Sequence, residues 1–167
     1  MNAVLDPSPR AALKTLGCTN LRLRQLMRHV GQHYDLEMAK VGLRTTQYSL
    51  LSHVLKLGPV RPTELAKAMQ LGASTLTRNL KPLVDAGWVE LSAGSDARSR
   101  SVTITAQGRA KRAEAQHHWR AAQQSLNRLL GTQRVLALHG LIDESIDLLS
   151  SVDPGDAQAS PIAAVHP

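Results

Sequence analysis

Residues 64–90 read ELAKAMQLGASTLTRNLKPLVDAGWVE, and their reading decides the fold. Two segments of helical period flank a turn at Leu71-Gly72, and Gly87 ends the second. Arg61-Pro62 opens the first as a short helix, with Leu65, Ala68 and Met69 expected to face inward. The second helix is expected from about Ser74 to Ala86. At roughly 100° per residue, its Leu76, Leu80 and Leu83 fall within about 60° of one another. Ser74, Arg78 and Lys81 lie on the opposite side, flanked by Thr75 and Thr77. One stripe seats the helix, and the other presents hydroxyls and cations. Pro82 has no N–H to give and is expected to bend the helix near its end.

Downstream, Trp88–Leu91 and Val102–Thr105 alternate with a period of two. SAGSDARSRS (92–101) joins them as a polar, basic tip. Two short helices, a tight turn and a hairpin make a winged helix-turn-helix, expected over about residues 43–106. In that arrangement the outward face of the second helix suits a DNA major groove. Arg78 has the length and fork for guanine, while Lys81, Ser74, Thr75 and Thr77 suit phosphates or base edges. Arg98 and Arg100 on the projecting tip suit the narrow, negative minor groove. Asp96 is placed to hold a neighbouring arginine by a charge-assisted bond.

Working outward, the chain is mainly α with one small β hairpin. Leu23, Leu26, Met27, Val30, Tyr34, Met38 and Val41 recur at helical steps, predicting a long helix that Gly42 closes. A further helix runs from a Thr45 or Thr46 cap to Gly58-Pro59, with Tyr48, Leu51, Val54 and Leu55 on one face. Long helices follow at Gly108 to about Leu130 and Thr132 to about Ser150. The helices at about 18–41 and 108–150 carry more apolar stripe than one small winged domain covers, so they are read as dimerisation helices. Residues 1–14, with Pro7 and Pro9, read as a flexible N-terminal arm. Residues 152–167 read as a flexible C-terminal tail, leaving 15–151 as the single domain.

The charge agrees with a polyanion partner. Across 167 residues the net charge is +7, from 20 Lys+Arg and 13 Asp+Glu. Residues 1–60 and 61–120 each carry +5 and residues 121–167 carry −3, a basic body with an acidic end. Aromatic residues make up 2%, too few for a single-strand stacking platform. One cysteine, Cys18, rules out an intrachain disulfide scaffold. No apolar run approaches a membrane span and MNAVLDPSPR (1–10) has no signal core, so a cytoplasmic protein is expected. There is no GxSxG, no Gly-rich phosphate loop and no paired-carboxylate signature, so neither an enzyme nor a cofactor is expected.

The stretch 64–90, followed by DARSRSVTITAQGRA (96–110), resembles the MarR (multiple-antibiotic-resistance regulator) family of bacterial repressors. The family's wing pattern is carried by Asp96, Arg98, Val102, Ile104, Thr105 and Gly108. The resemblance covers roughly residues 18–150. CTNLRLRQLMRHVGQHYD (18–35) and GLRTTQYSLLSHV (42–54) are similar to a subgroup with a cysteine beside a Leu-Arg pair. Some of its members have a second cysteine two residues earlier, where this chain has Leu16. The resemblance implies a homodimer with interlocked terminal helices, bound to double-stranded DNA at a palindromic operator. It also implies release by a small, often phenolic effector held between the dimer helices and the DNA-binding lobe.

Candidate effector residues are His29, His33, Tyr48, His53 and Trp119. Cys18 lies near the start of the first helix with Arg22 one turn on, an alternative redox trigger. His29 and His33 have ligand spacing, with Cys18, His117 and His118 elsewhere, but no CxxC or HExxH pattern exists and no metal is expected. A ligand-independent architectural DNA binder is the remaining alternative.

Overall fold

The computed structural model describes residues 17–93 and 100–151. The expected arm and tail lie outside the described residues, as do Asp96 and Arg98. In chain order the elements are α1 (Thr19–Met38), a 3-10 turn (Ala39–Val41), α2 (Thr45–Leu57), α3 (Pro62–Ala68), α4 (Ala73–Asp85), β1 (Val89–Ala93), β2 (Arg100–Ile104), α5 (Ala106–Leu130) and α6 (Thr132–Ser151). The chain divides into a unit reaching Gln123 and a second from Gln124 onward.

In the first unit each boundary has a local cause. Gly42 takes the left-handed conformation (φ 67°), and the Leu43 amide reaches back to the Met38 carbonyl at 3.1 Å, closing α1 and its 3-10 turn. The cap of α2 differs from expectation. It is Arg44, and the Asp35 carboxylate accepts from both the amide and the hydroxyl of Thr45 at 2.7 Å. Thr45 is the first helical residue, one position past the cap, and its side chain turns to Asp35. The turn between α3 and α4 also departs from the prediction. Its left-handed residue is Gln70 (φ 52°), and Gly72 has ordinary extended geometry as the N-cap of α4. Position 70 must bend so that the Leu71 amide can bond the Ala66 carbonyl at 2.8 Å.

The core of this unit gathers Met38, Leu50, Leu51, Val54, Leu65, Leu76, Leu80, Leu83, Val89, Val102 and Ile104. Ala66, and not Ala68, is the alanine that α3 buries. Leu76, Leu80 and Leu83 are all buried as predicted, each worth about 2 kcal/mol of apolar transfer. β1 and β2 pair antiparallel, Val89 opposite Ile104 and Ala93 opposite Arg100. The strands extend further toward the tip than the alternation suggested, and β2 ends at Ile104. Val60 bridges Val102 on the other edge through two backbone bonds of 2.9 and 3.1 Å. α5 begins two residues before Gly108, which the sequence reading had placed at its start.

The expected apolar face of α1 is buried only over its last two turns, at Tyr34 and Met38. Leu23 is 48% and Met27 72% exposed. In the second unit α6 buries Val135 and leaves Leu141, Ile142, Ile146 and Leu149 exposed. No helix of the described residues is long and apolar enough to cross a membrane.

Candidate nucleic-acid interface

α4 positions the candidate contact residues. With Leu76, Leu80 and Leu83 held in the core, helical geometry turns Ser74, Thr77, Arg78 and Lys81 outward, and all four are exposed. Thr75 is half-buried at the stripe's edge. The Thr77 hydroxyl donates to the Ala73 carbonyl at 2.9 Å, which leaves its oxygen lone pairs facing out. Pro82 lies within the helix and has no amide for the Arg78 carbonyl. Among the described residues Arg78 has no ion-pair partner.

Lys81 does have one. Its ammonium donates to both carboxylate oxygens of Asp85, at 2.8 and 3.1 Å. Asp85 was not among the sequence candidates, although its place four residues beyond Lys81 on a helix was a readable signal.

Arg100 is not on the loop tip, where the sequence reading had set it. It is the first residue of β2, paired with Ala93, and exposed. The register puts it on the same sheet face as Val102 and Leu91. That face turns toward α4 and forms one wall of a groove of about 420 Å³, whose other wall carries Thr77, Lys81 and Asp85. Helix and hairpin thus share one groove, with Lys81 and Arg100 as the cations among its described lining residues, while Arg78 is exposed on α4.

The expected effector residues are only partly brought together. Tyr48 is buried and stacks on Trp119, with centroids 6.0 Å apart and rings 26° from parallel. Tyr34, read in the sequence only as part of an apolar stripe, joins them at 6.4 Å from Trp119. Its hydroxyl donates to Gln123, and burial pushes its phenol pKa up, so it is a neutral donor. Arg112, also missed, lies 5.6 Å over the Tyr48 ring and bonds Ser52 at 3.2 Å and Gln116 at 2.6 Å. His33 bonds the Ala122 carbonyl at 3.1 Å, tying α1 to α5. His53 bonds Ser49 on its own helix at 2.8 Å, and His29 is exposed on α1.

Cys18 is exposed at the N-cap of α1. His118 lies 3.5 Å from Glu37, and His117 sits edge-on to it. A hydrogen bond from Lys40, aided by His118, holds the Glu37 carboxyl below its ordinary range, against the opposing effect of burial. Among the described residues no three His, Cys, Asp or Glu side chains converge as a metal site.

A model of the MarR family matches residues 41–99, which span α2 to the hairpin. The transcriptional regulator MosR of M. tuberculosis, solved in complex with DNA, is 32% identical with a TM-score of 0.64. That match covers 77% of this chain and 98% of MosR. CouR, a transcriptional repressor solved on a 23-mer DNA duplex, shares the fold at 23% identity and a TM-score of 0.71, covering 77% of this chain and 92% of CouR. An uncharacterised HTH-type transcriptional regulator of Bacillus subtilis, YwoH, is 28% identical over 90 residues. Those residues are 54% of this chain and 66% of YwoH, just under two thirds of its length.

Proposed function

The chain belongs to the MarR family of DNA-binding transcriptional regulators, and from that premise we propose that it is a homodimeric repressor. In this reading it binds a palindromic operator and releases it in response to a small, phenol-like effector. The observation that carries the DNA-binding assignment is the split of α4 into a buried leucine stripe and an exposed cationic ridge, with Arg100 facing the same groove. Ser74, Thr75, Thr77, Arg78 and Lys81 read the major groove or its phosphates. Arg100, with Asp96 and Arg98 at the tip, serves the minor groove.

Exposed Leu23 and Met27 on α1, and Leu141, Ile146 and Leu149 on α6, support pairing through these helices, since a lone chain leaves that surface wet. A two-fold dimer sets two recognition helices about one DNA turn apart, which matches a palindrome. The domain reading, 15–151 with a winged core at about 43–106, belongs to this proposal. The aromatic group of Tyr34, Tyr48 and Trp119 with Arg112 above it supports an aromatic effector with a negative end, whose binding would act by preferring a different helix spacing.

Footprinting the purified protein on its own upstream DNA, with and without phenols, tests the reading. A protected palindrome that phenols clear is expected. Absence of any protected segment overturns the repressor assignment. If the dimer neutralises about eight phosphates, log K falls against log salt with a slope near −7. A salt-insensitive affinity contradicts the electrostatic mechanism.

The exposure of Cys18 favours a second trigger, oxidation of its thiol. Peroxide-dependent release that survives Cys18→Ser removes that trigger.

A further inference from the structure

The exposed face of α4 carries a charge arrangement that folding does not call for. Asp85 is the last residue of α4, where the partial negative charge of the helix end disfavours a carboxylate. Its partner Lys81 precedes it by four residues, the weaker order for a helical ion pair. Both side chains are well exposed, 74% and 58%, so solvent screens most of the attraction. Stability gives little reason for the pair, yet the geometry is bidentate. Among the described residues lining the groove, Asp85 is the one carboxylate, beside Lys81 and Arg100.

We propose that Asp85 is a specificity-determining residue that holds Lys81 back from phosphates and so lowers the affinity for DNA of any sequence. The inference rests on the DNA-binding reading above. With Lys81 paired, a phosphate gains it only by displacing Asp85, so its contact adds little to sequence-independent binding. Affinity must then come from the remaining contacts, Arg78 foremost, which can distinguish base edges. Asp85 thus shifts the balance from sequence-independent charge to sequence readout.

The test measures binding of the full-length protein to a mixed-sequence duplex over a range of salt concentrations. Asp85→Asn keeps the shape and removes the charge. It should tighten binding by about fivefold per protomer at physiological salt and steepen the salt slope by about one per protomer. Glu114→Gln removes an equal charge from an exposed carboxylate paired with Lys111 on α5, neither of them among the groove's lining residues, and should change binding less than twofold. In a Lys81→Ala background the gain from Asp85→Asn should vanish. A gain matched by Glu114→Gln, one that persists without Lys81, or no gain at all overturns the proposal. Failure of the unmodified protein to bind any duplex instead overturns the DNA-binding reading itself.

Discussion

The carbonyl of Trp88 occupies the space in which a side chain at Gly108 would begin. A Cβ there would lie 2.0 Å from the Trp88 oxygen and 2.9 Å from Ile104 Cγ1. This contact seats the first turn of α5 directly against the start of the wing, and only a residue without a Cβ permits it. The Trp88 oxygen also accepts from the Thr105 amide at 3.1 Å, so the carbonyl cannot turn away without losing that bond.

Gly108→Ala should therefore cost about 3 kcal/mol, an overpacking penalty against backbone that cannot yield. Thermal denaturation should show a midpoint lower by about 6–12 °C. An unchanged midpoint would mean that α5 and the wing separate freely.

Thr105 ties the same junction through its hydroxyl, which accepts from the Gly108 amide at 3.0 Å and donates to the Gly87 carbonyl at 2.7 Å. It caps α5 and links it to the end of α4. Thr105→Ala should destabilise by about 1–2 kcal/mol in chemical denaturation, while Thr105→Ser should retain most of the stability. Equal losses in both variants would assign the effect to the methyl group.

Glu37 is expected to make stability depend on pH. The Lys40 bond holds its folded pKa below the ordinary 4.5, so its contribution is present above that value. It disappears as pH falls through the lower folded value. Glu37→Gln should be less stable than the unmodified protein at neutral pH, and the two should converge as pH falls below the lowered folded value. Parallel curves across that window would show that the Lys40 pair contributes nothing.

Arg78→Ala should weaken operator binding by about 1–3 kcal/mol and relax base preference at one position per half-site. Binding measured over single-base operator variants separates the two effects. A uniform loss over all sequences would reassign Arg78 to a phosphate.

The recognition helix was legible because its determinants are local. Leu76, Leu80 and Leu83 recur at the helical period, and that alone fixes where Ser74, Arg78 and Lys81 point. Gly42 and Gly87 likewise read correctly as helix stops, each with positive φ. The turn before α4 misled because glycine is the usual left-handed residue, whereas here Gln70 takes that conformation. Asp85 stood in plain sight four residues from Lys81, and its meaning emerged only with the groove.

By itself the sequence determined the order of the elements, the buried face of α4 and the basic character of its exposed side, since periodicity and charge need no distant partner. Tertiary structure alone decided that Asp35 caps a helix ten residues away, that Arg100 faces α4 from a strand, and that Tyr34, Tyr48 and Trp119 meet from three helices. Each of these depends on the distance between segments far apart in the chain, which local propensity does not encode and which close packing of the core sets.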